Sequence, residues 1–330
     1  MEIVSRYKIS SKSDLVFCKV DLQKILKQFK DKEFYIFSVM ELGSNILKYA
    51  KKGEIWLLES DGEYLLAALD KGEGIKDLNW ALKEGTTSSN SLGMGLYSIA
   101  NHKDYDFLIY SSKMGSIFLI KPKNLKKDYV YLMQSYMDKV KSGDFIFKKE
   151  KYIFFGDVSG HGIKAYEVVR FIRNFIKEKR FSCIIADEFL KDLHEKILQY
   201  NLRSLVIAII ELLPNEVNIC GVGNISILKK VESKIKSFSQ AKGIIGEVFF
   251  DVSKINLKRD GNIILFSDGI DEKLLYNLSE KINNIYLLAI ASIYFSQKLD
   301  DKSILVIGEN DGTSRSSFGY FAKRKRESFA

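Results

Sequence analysis

The sequence predicts an α/β (α+β) protein of two successive domains. Three observations carry that expectation. The chain has 330 residues, of which 46% are hydrophobic and 28% charged, an ordinary globular balance long enough for two cores. Short apolar runs of strand character alternate with segments of helical period. One stretch, KPKNLKKD from Lys121 to Asp128, is highly charged, holds one of only two prolines, and has no face that could join a core. The expected division is a domain over 1–121, a linker over 122–128, a domain over 129–309 and a tail over 310–330.

In the first part, Asp14–Lys30 has helical spacing through Val16, Val20, Leu22, Ile25, Leu26 and Phe29, and Phe34–Lys51 follows as a second helix. Glu54–Glu59 and Tyr64–Leu69 read as a hairpin around Asp61-Gly62. A helix, a Gly-rich loop and another helix come next. Asp106–Ser111 and Ser116–Lys121 form a second hairpin turning near Met114-Gly115.

After the charged stretch come strands near Tyr129–Tyr136, Phe145–Lys148 and Tyr152–Val158, then helices Ile163–Lys179 and Asp187–Tyr200. Strands return at Ser204–Leu212 and Glu216–Cys220. Ile263–Ser267, a helix within Leu278–Gln297 and a closing strand Ser303–Gly308 complete the chain. Strands grouped around paired helices predict sheets in the middle with helices outside.

Composition excludes several classes. Cys18, Cys183 and Cys220 are scattered and make no CxxC pair, which argues against a disulfide framework or zinc site and for a reducing cytoplasm. The start lacks the apolar run of a signal peptide, and no apolar stretch reaches the roughly 20 residues of a membrane span. The net charge is +9, but nearly half of the excess lies beyond Gly312, in Arg315, Lys323, Arg324, Lys325 and Arg326 against Glu327. That tail reads as a solvated, disordered end, so nucleic acid is not an expected partner.

Three features mark a first site. Glu41 and Asn45 are four apart and share a helix face, with Lys48 three further on. A carboxylate and an amide oxygen there put a base beside a ligand for a hard cation such as Mg²⁺. DKGEGI, Asp70 to Ile75, follows a strand with an acceptor carboxylate and the glycines Gly72 and Gly74, leaving room for a flat ring. EGTTSSNSLGMGL, Glu84 to Leu96, leads through Thr86 to Gly93 and Gly95 at a helix start, where backbone N–H groups favour phosphate.

In this order the residues resemble the GHKL ATPase fold in its short bacterial form, closest to the RsbT-type switch kinases of the anti-sigma and stressosome group. The resemblance spans roughly Leu15 to Lys121. It implies that Glu41 is the base, that Asn45 holds Mg²⁺, that Asp70 accepts from the adenine amine, and that Thr86–Gly95 closes over the phosphates of ATP. Ser116 stands where the family has threonine, and Glu73 where it has proline.

The second site is a series of carboxylates. FFGDVSGHGIKA ends an apolar strand on Asp157 among three glycines. SGDF holds Asp144, ILFSDGIDE ends a strand at Asp268, and KLDDKSILVI puts Asp300 and Asp301 ahead of the last strand. Any one of them could simply cap a strand. Gathered together they would repel unless a cation intervened, and hard divalent ions suit an all-oxygen cluster. Sharp turning at Gly160 and Gly162 lets a carbonyl such as that of Val158 join the shell.

The order SGD, GDVSGHG, SDG and DD-x-S resembles the PPM-type metal-dependent Ser/Thr protein phosphatases, specifically their SpoIIE branch, over about Tyr129 to Gly308. CGVGNISIL, Cys220 to Leu228, looks like the small RsbX-type members. The resemblance implies a PPM-type α-β-β-α sandwich and two Mn²⁺ or Mg²⁺ ions held by Asp157, Asp268 and Asp300. It adds the Val158 carbonyl, places Asp144 and Asp301 in or beside the shell, and implies hydrolysis without a phospho-enzyme. His161, between glycines, is expected to be structural.

Both resemblances together imply a bifunctional regulator of a bacterial partner-switching pathway. A kinase module would phosphorylate STAS-domain proteins and a phosphatase module would reverse it, the fusion raising the local concentration of each. The alternative is a phosphatase whose first domain only binds a STAS protein, a sigma factor or a downstream phosphatase.

Overall fold

The strands of the first expected domain do assemble around two helices, and the chain adds one strand before them. The computed structural model describes residues 1–83, 94–136, 141–179, 186–248, 251–308 and 320–321. It divides into two units, Met1–Lys126 with Gly312–Ala330, and Lys127–Asp311.

The first unit begins with β1 (Glu2–Ile9), which sequence reasoning does not foresee. Ser11 then starts α1 (Lys12–Ile25) with a reciprocal capping box: its hydroxyl accepts from the Asp14 N–H, and the Asp14 carboxylate accepts from the Ser11 N–H. The second helix, α2 (Lys32–Asn45), passes into a wider π-type turn over Ile46–Ala50, so the regular helical spacing stops at Asn45. β2 (Gly53–Ser60) and β3 (Glu63–Asp70) form the expected hairpin, and both Asp61 and Gly62 have positive φ, as a two-residue hairpin turn requires. The short α3 (Leu78–Ala81) and α4 (Gly95–Ala100) flank residues 84–93, which lie outside the described residues. β4 (Tyr105–Ser112) and β5 (Gly115–Pro122) form the second hairpin.

These strands make one antiparallel sheet in the order β1-β2-β3-β5-β4, extended beyond β4 by the pair Tyr320–Phe321. The tail expected to be disordered therefore contributes at least this pair. Leu15, Cys18 and Leu22 of α1 and Tyr35, Val39 and Leu42 of α2 pack with Ile55, Leu57, Leu66 and Ala68 of the sheet. Pro122, the first residue of the expected linker, closes β5, while Lys121 is buried against Asp106 and the carbonyls of Pro122 and Leu125.

The second unit contains two five-stranded sheets. One runs β13 (Ser253–Lys258), β10 (Glu216–Val222), β9 (Leu205–Leu212), β8 (Tyr152–Val158), β7 (Asp144–Lys149). The other runs β12 (Lys234–Phe238), β11 (Ser226–Val231), β14 (Asn262–Phe266), β15 (Lys302–Ile307), β6 (Tyr129–Gln134). Alternating residues of both meet in one apolar layer of Ile153, Phe155, Ala208, Ile210, Ile219, Ile227, Leu265 and Leu305. On the outer face of the first sheet, Val168, Ile172 and Phe175 of α5 (Ile163–Glu178) and Phe189, Leu190 and Leu193 of α6 (Ala186–Gln199) pack on Phe145, Phe154 and Ile207.

The helix expected within 278–297 is α8 (Ile285–Phe295), and an unforeseen α7 (Glu272–Lys281) precedes it. Asn284 interrupts them by accepting from the Tyr286 and Leu287 N–H groups as the cap of α8. α8 lies on β6 and β15, so helices cover the outer faces of both sheets, and the expected α-β-β-α layering is present. Among the described residues, no helix is long and apolar enough to cross a membrane.

Candidate functional site

Asp157 sits near the end of β8 directly opposite Asp144, the first residue of β7. Antiparallel pairing therefore forces two carboxylates side by side. Asp144 is 2% exposed and accepts from the Ser267 hydroxyl at 2.7 Å. Ser267 follows β14 and precedes Asp268, and its hydroxyl also accepts from the Ser303 N–H at 3.0 Å on β15. The register of β14 with β15 thus carries Asp268 to the same end as Asp300, which precedes β15.

Asp157, Asp268 and Asp300 line one open cavity of about 410 Å³, together with Ser159, Gly160, Asn224 and Lys242. Burial, reinforced by Asp144, Asp268 and Asp300, raises the Asp157 carboxyl to about 9. Burial also pushes Asp144 well above the usual carboxylate range, against the pull of the Ser267 and Ser303 hydroxyls. Asp268 is raised by burial and by Asp300, with Lys298 opposing. These are the marks of carboxylates that are buried first and, secondly, held close to one another.

Such a donor set, all oxygen and mutually repelling, fits hard divalent cations. No three acidic, His or Cys side chains among the described residues converge on one metal position, so a cation here would complete its shell with carbonyl or water oxygens.

Several sequence expectations shift. Asp301 does not line the cavity. It is 4% exposed, and its two oxygens accept from the Tyr136 N–H and, at 2.7 Å, from the Gly143 N–H. Its role is to clamp the chain entering β7, because a buried carboxylate must have its oxygens satisfied. Asp144 likewise lies behind Asp157 and is not among the lining residues. Val158 does not line the cavity either: a Cβ on Gly143 would sit 3.0 Å from its carbonyl oxygen. His161 is exposed, with its ring 5.1 Å from that of Tyr136, and is not among the lining residues.

Gly160 has φ +78, and a Cβ there would lie 2.5 Å from Arg203 Nη1. Glycine suits the positive φ of the turn and leaves room for Arg203, which donates to the Ser159 carbonyl at 3.1 Å. Sequence reasoning misses Lys242, Ser267 and Arg203. The SDG motif includes Ser267, so that one is within reach of motif reading, but Lys242 and Arg203 lie far along the chain from any of the cavity aspartates.

In the first unit, Asp70 is 7% exposed at the end of β3. Its Oδ1 accepts from the Gly72 N–H at 2.8 Å. Burial still raises its pKa. Ser116 stands opposite Asp70 in the sheet, its hydroxyl 3.0 Å from that of Ser111. The Ser111 hydroxyl in turn accepts from the Ile75 N–H at 2.8 Å, which fixes the end of the DKGEGI segment against β4.

Glu41, half-buried on α2, faces the start of α4: a Cβ on Gly95 would lie 1.9 Å from Glu41 Oε2. The missing side chain of Gly95 leaves room for that approach. Asn45 ends α2, and Lys48 falls in the π-type turn, exposed, with its ammonium 4.8 Å from the Tyr49 ring centre. The regular helical spacing expected to stack Lys48 beyond Asn45 is therefore not present. Thr86 and Gly93 lie outside the described residues.

Residues 149–305 match the family described as Stage II sporulation protein E (SpoIIE), so this stretch is a SpoIIE-type domain. It holds Asp157, Asp268 and Asp300, spans just under half of the chain, and leaves residues 1–148 outside it. No curated protein matches the chain. Among solved structures, the chain is similar to PppA, a key regulatory component of T6SS in Pseudomonas aeruginosa, at 11% identity over 55% of this chain and 96% of that one, TM-score 0.48. It is similar to RsbX in complex with magnesium at 14% identity over 54% and 92%, TM-score 0.45. It is also similar to the serine/threonine phosphatase Stp1 from Staphylococcus aureus at 14% identity over 55% and 94%, TM-score 0.46.

Proposed function

We propose that the second unit is a divalent-cation-dependent protein phosphatase of the PPM type, acting on phosphoserine or phosphothreonine. One observation carries the reading: Asp157, Asp268 and Asp300, from three separate segments inside the SpoIIE-type stretch, line a single open cavity. These three carboxylates would hold Mn²⁺ or Mg²⁺, which supply Lewis-acid charge and activate water for attack on phosphorus. Asp144, fixed by the Ser267 hydroxyl, orients Asp157 from behind. Asp301 pins the backbone before β7, and Arg203 holds the turn after Asp157. The cavity is open enough to admit a phosphorylated side chain from a protein surface.

The test is hydrolysis of p-nitrophenyl phosphate with Mn²⁺ by the full chain. Activity should fall at least about a hundredfold in Asp157→Ala and Asp268→Ala, since metal-ion catalysis is worth several kcal/mol at about 1.4 kcal/mol per tenfold. Equal rates in wild type and variants would refute the reading.

The first unit is proposed to bind ATP with Mg²⁺ and to phosphorylate the proteins that the second unit dephosphorylates, STAS-domain proteins of a partner-switching pathway. The buried acceptor Asp70, held by the Gly72 N–H with Ser116 opposite it in the sheet, supports an adenine site, and Glu41 beside Gly95 supports a base near the phosphates. A STAS protein captured by the full chain should gain phosphate on addition of ATP, and Asn45→Ala should abolish that gain. Capture without any ATP-dependent phosphorylation would instead make the first unit a binding module.

A further inference from the structure

We infer that Lys242 contacts the phosphoryl group of the substrate, a positioning role that rests on the phosphatase reading of this cavity. Three carboxylates line the cavity, and Lys242 is the one basic residue lining it among the described residues. Two other cations stand near and are committed to backbone: Lys298 donates to the Asp268 carbonyl, and Arg203 to the Ser159 carbonyl. Lys242 has no hydrogen-bond or ion-pair partner among the described residues.

The segment that carries it is tied down on both sides. The Gly223 N–H donates to the Ala241 carbonyl at 3.0 Å, just beyond β10. Leu205 and Ile245 exchange hydrogen bonds of 3.0 and 2.9 Å at the start of β9. The Gly246 N–H donates to His194 Nδ1 at 3.0 Å on α6. Residues 241–246 therefore form a strap across the ends of β9 and β10. The strand register places Val206, the neighbour of Leu205, opposite Asp157. Gly243, at φ +152, turns the chain immediately after the lysine.

A rigid strap presenting a flexible side chain suits a phosphate contact. Cations held at the carboxylates would supply charge to part of the phosphoryl group, and a lysine ammonium in the same cavity serves as a mobile point charge for its remaining oxygens. A lysine that instead read an acidic residue flanking the phosphorylation site would leave inorganic phosphate binding untouched, which separates the two roles.

The experiment is calorimetric titration of inorganic phosphate into the Mn²⁺-loaded full chain. Lys242→Ala should weaken phosphate binding about tenfold, the scale of one charged hydrogen bond, and Lys242→Arg should stay within about threefold of wild type. The Mn²⁺-binding midpoint should not move, and the melting temperature should hold because Lys242 is exposed. Equal phosphate binding by wild type and Lys242→Ala would overturn the inference, as would absent binding by wild type or a matching loss of Mn²⁺ affinity. Failure of wild type to hydrolyse p-nitrophenyl phosphate would instead overturn the phosphatase reading, while the phosphate isotherms still decide the lysine.

Discussion

The two units place carboxylates at strand ends beside glycines, but they treat the charge in opposite ways. Asp70 in the first unit has no other acid raising its pKa and receives the Gly72 backbone N–H. Asp157 in the second unit is surrounded by Asp144, Asp268 and Asp300, all of which raise its pKa. A solitary, hydrogen-bonded carboxylate is suited to accept from a neutral donor such as an amine. A crowded one is suited to a cation, because only positive charge relieves the repulsion. The same local device, acid then glycine after a strand, thus gives two chemistries according to what the tertiary structure brings beside it.

The sharpest break of this comparison is Asp157→Asn. It should lower Mn²⁺-dependent hydrolysis at least about a hundredfold, yet raise the melting temperature of the metal-free chain at neutral pH, since it removes an acid that the fold must protonate. A lower melting temperature would mean that Asp157 is not in conflict with its neighbours. In the first unit the converse holds: Asp70→Asn should weaken ATP binding about tenfold, the worth of a hydrogen bond to a charged acceptor, and leave phosphate-ester hydrolysis within about twofold. Fluorescent-nucleotide titration and the hydrolysis assay read the two sites separately.

A third test uses pH. The Asp157 carboxyl is raised in the folded state to about 9 from the ordinary value of 3.8. Between those values the folded chain holds a proton that the unfolded chain has released, so stability falls as pH rises through this window. Urea melts of the metal-free chain should show that decline, and saturating Mn²⁺ should flatten it. A flat profile without metal would show that the carboxylates do not crowd. The smallest expected effect is Ser11→Ala, which removes the capping box of α1 and should cost about 1 kcal/mol in the first unit by thermal melting.

Much of the second site is legible in the sequence because its aspartates close strongly apolar strands. YIFFGDV and NIILF declare themselves as strands, and the acid that follows or ends each run stands out. β11, β12 and β13 are harder to see. SILKKV and KIKSF carry lysines in the strand interior, which read as solvent-facing loop. The structure instead buries Lys230, whose ammonium donates to the Ser279 and Glu280 carbonyls near the end of α7 and to Asn283. A lysine can enter a core when helix-end carbonyls meet it, and those carbonyls lie far along the chain from β11. Asp301 misleads for a related reason: beside Asp300 it looks like a second ligand, and only the folded backbone of Tyr136 and Gly143 takes up its oxygens.

Local sequence determined many of the strands and helices, because period, caps and turn residues act between neighbours: the Asp61-Gly62 hairpin, the Ser11 cap and the strand that carries Asp157 near its end all follow from a few adjacent residues. Tertiary structure alone decided which of the acids face a cavity, which are consumed in holding the chain, and that Lys242 joins Asp157, Asp268 and Asp300. Those outcomes depend on charge–charge and hydrogen-bond distances between residues far apart in the chain, and only strand register and sheet packing set such distances.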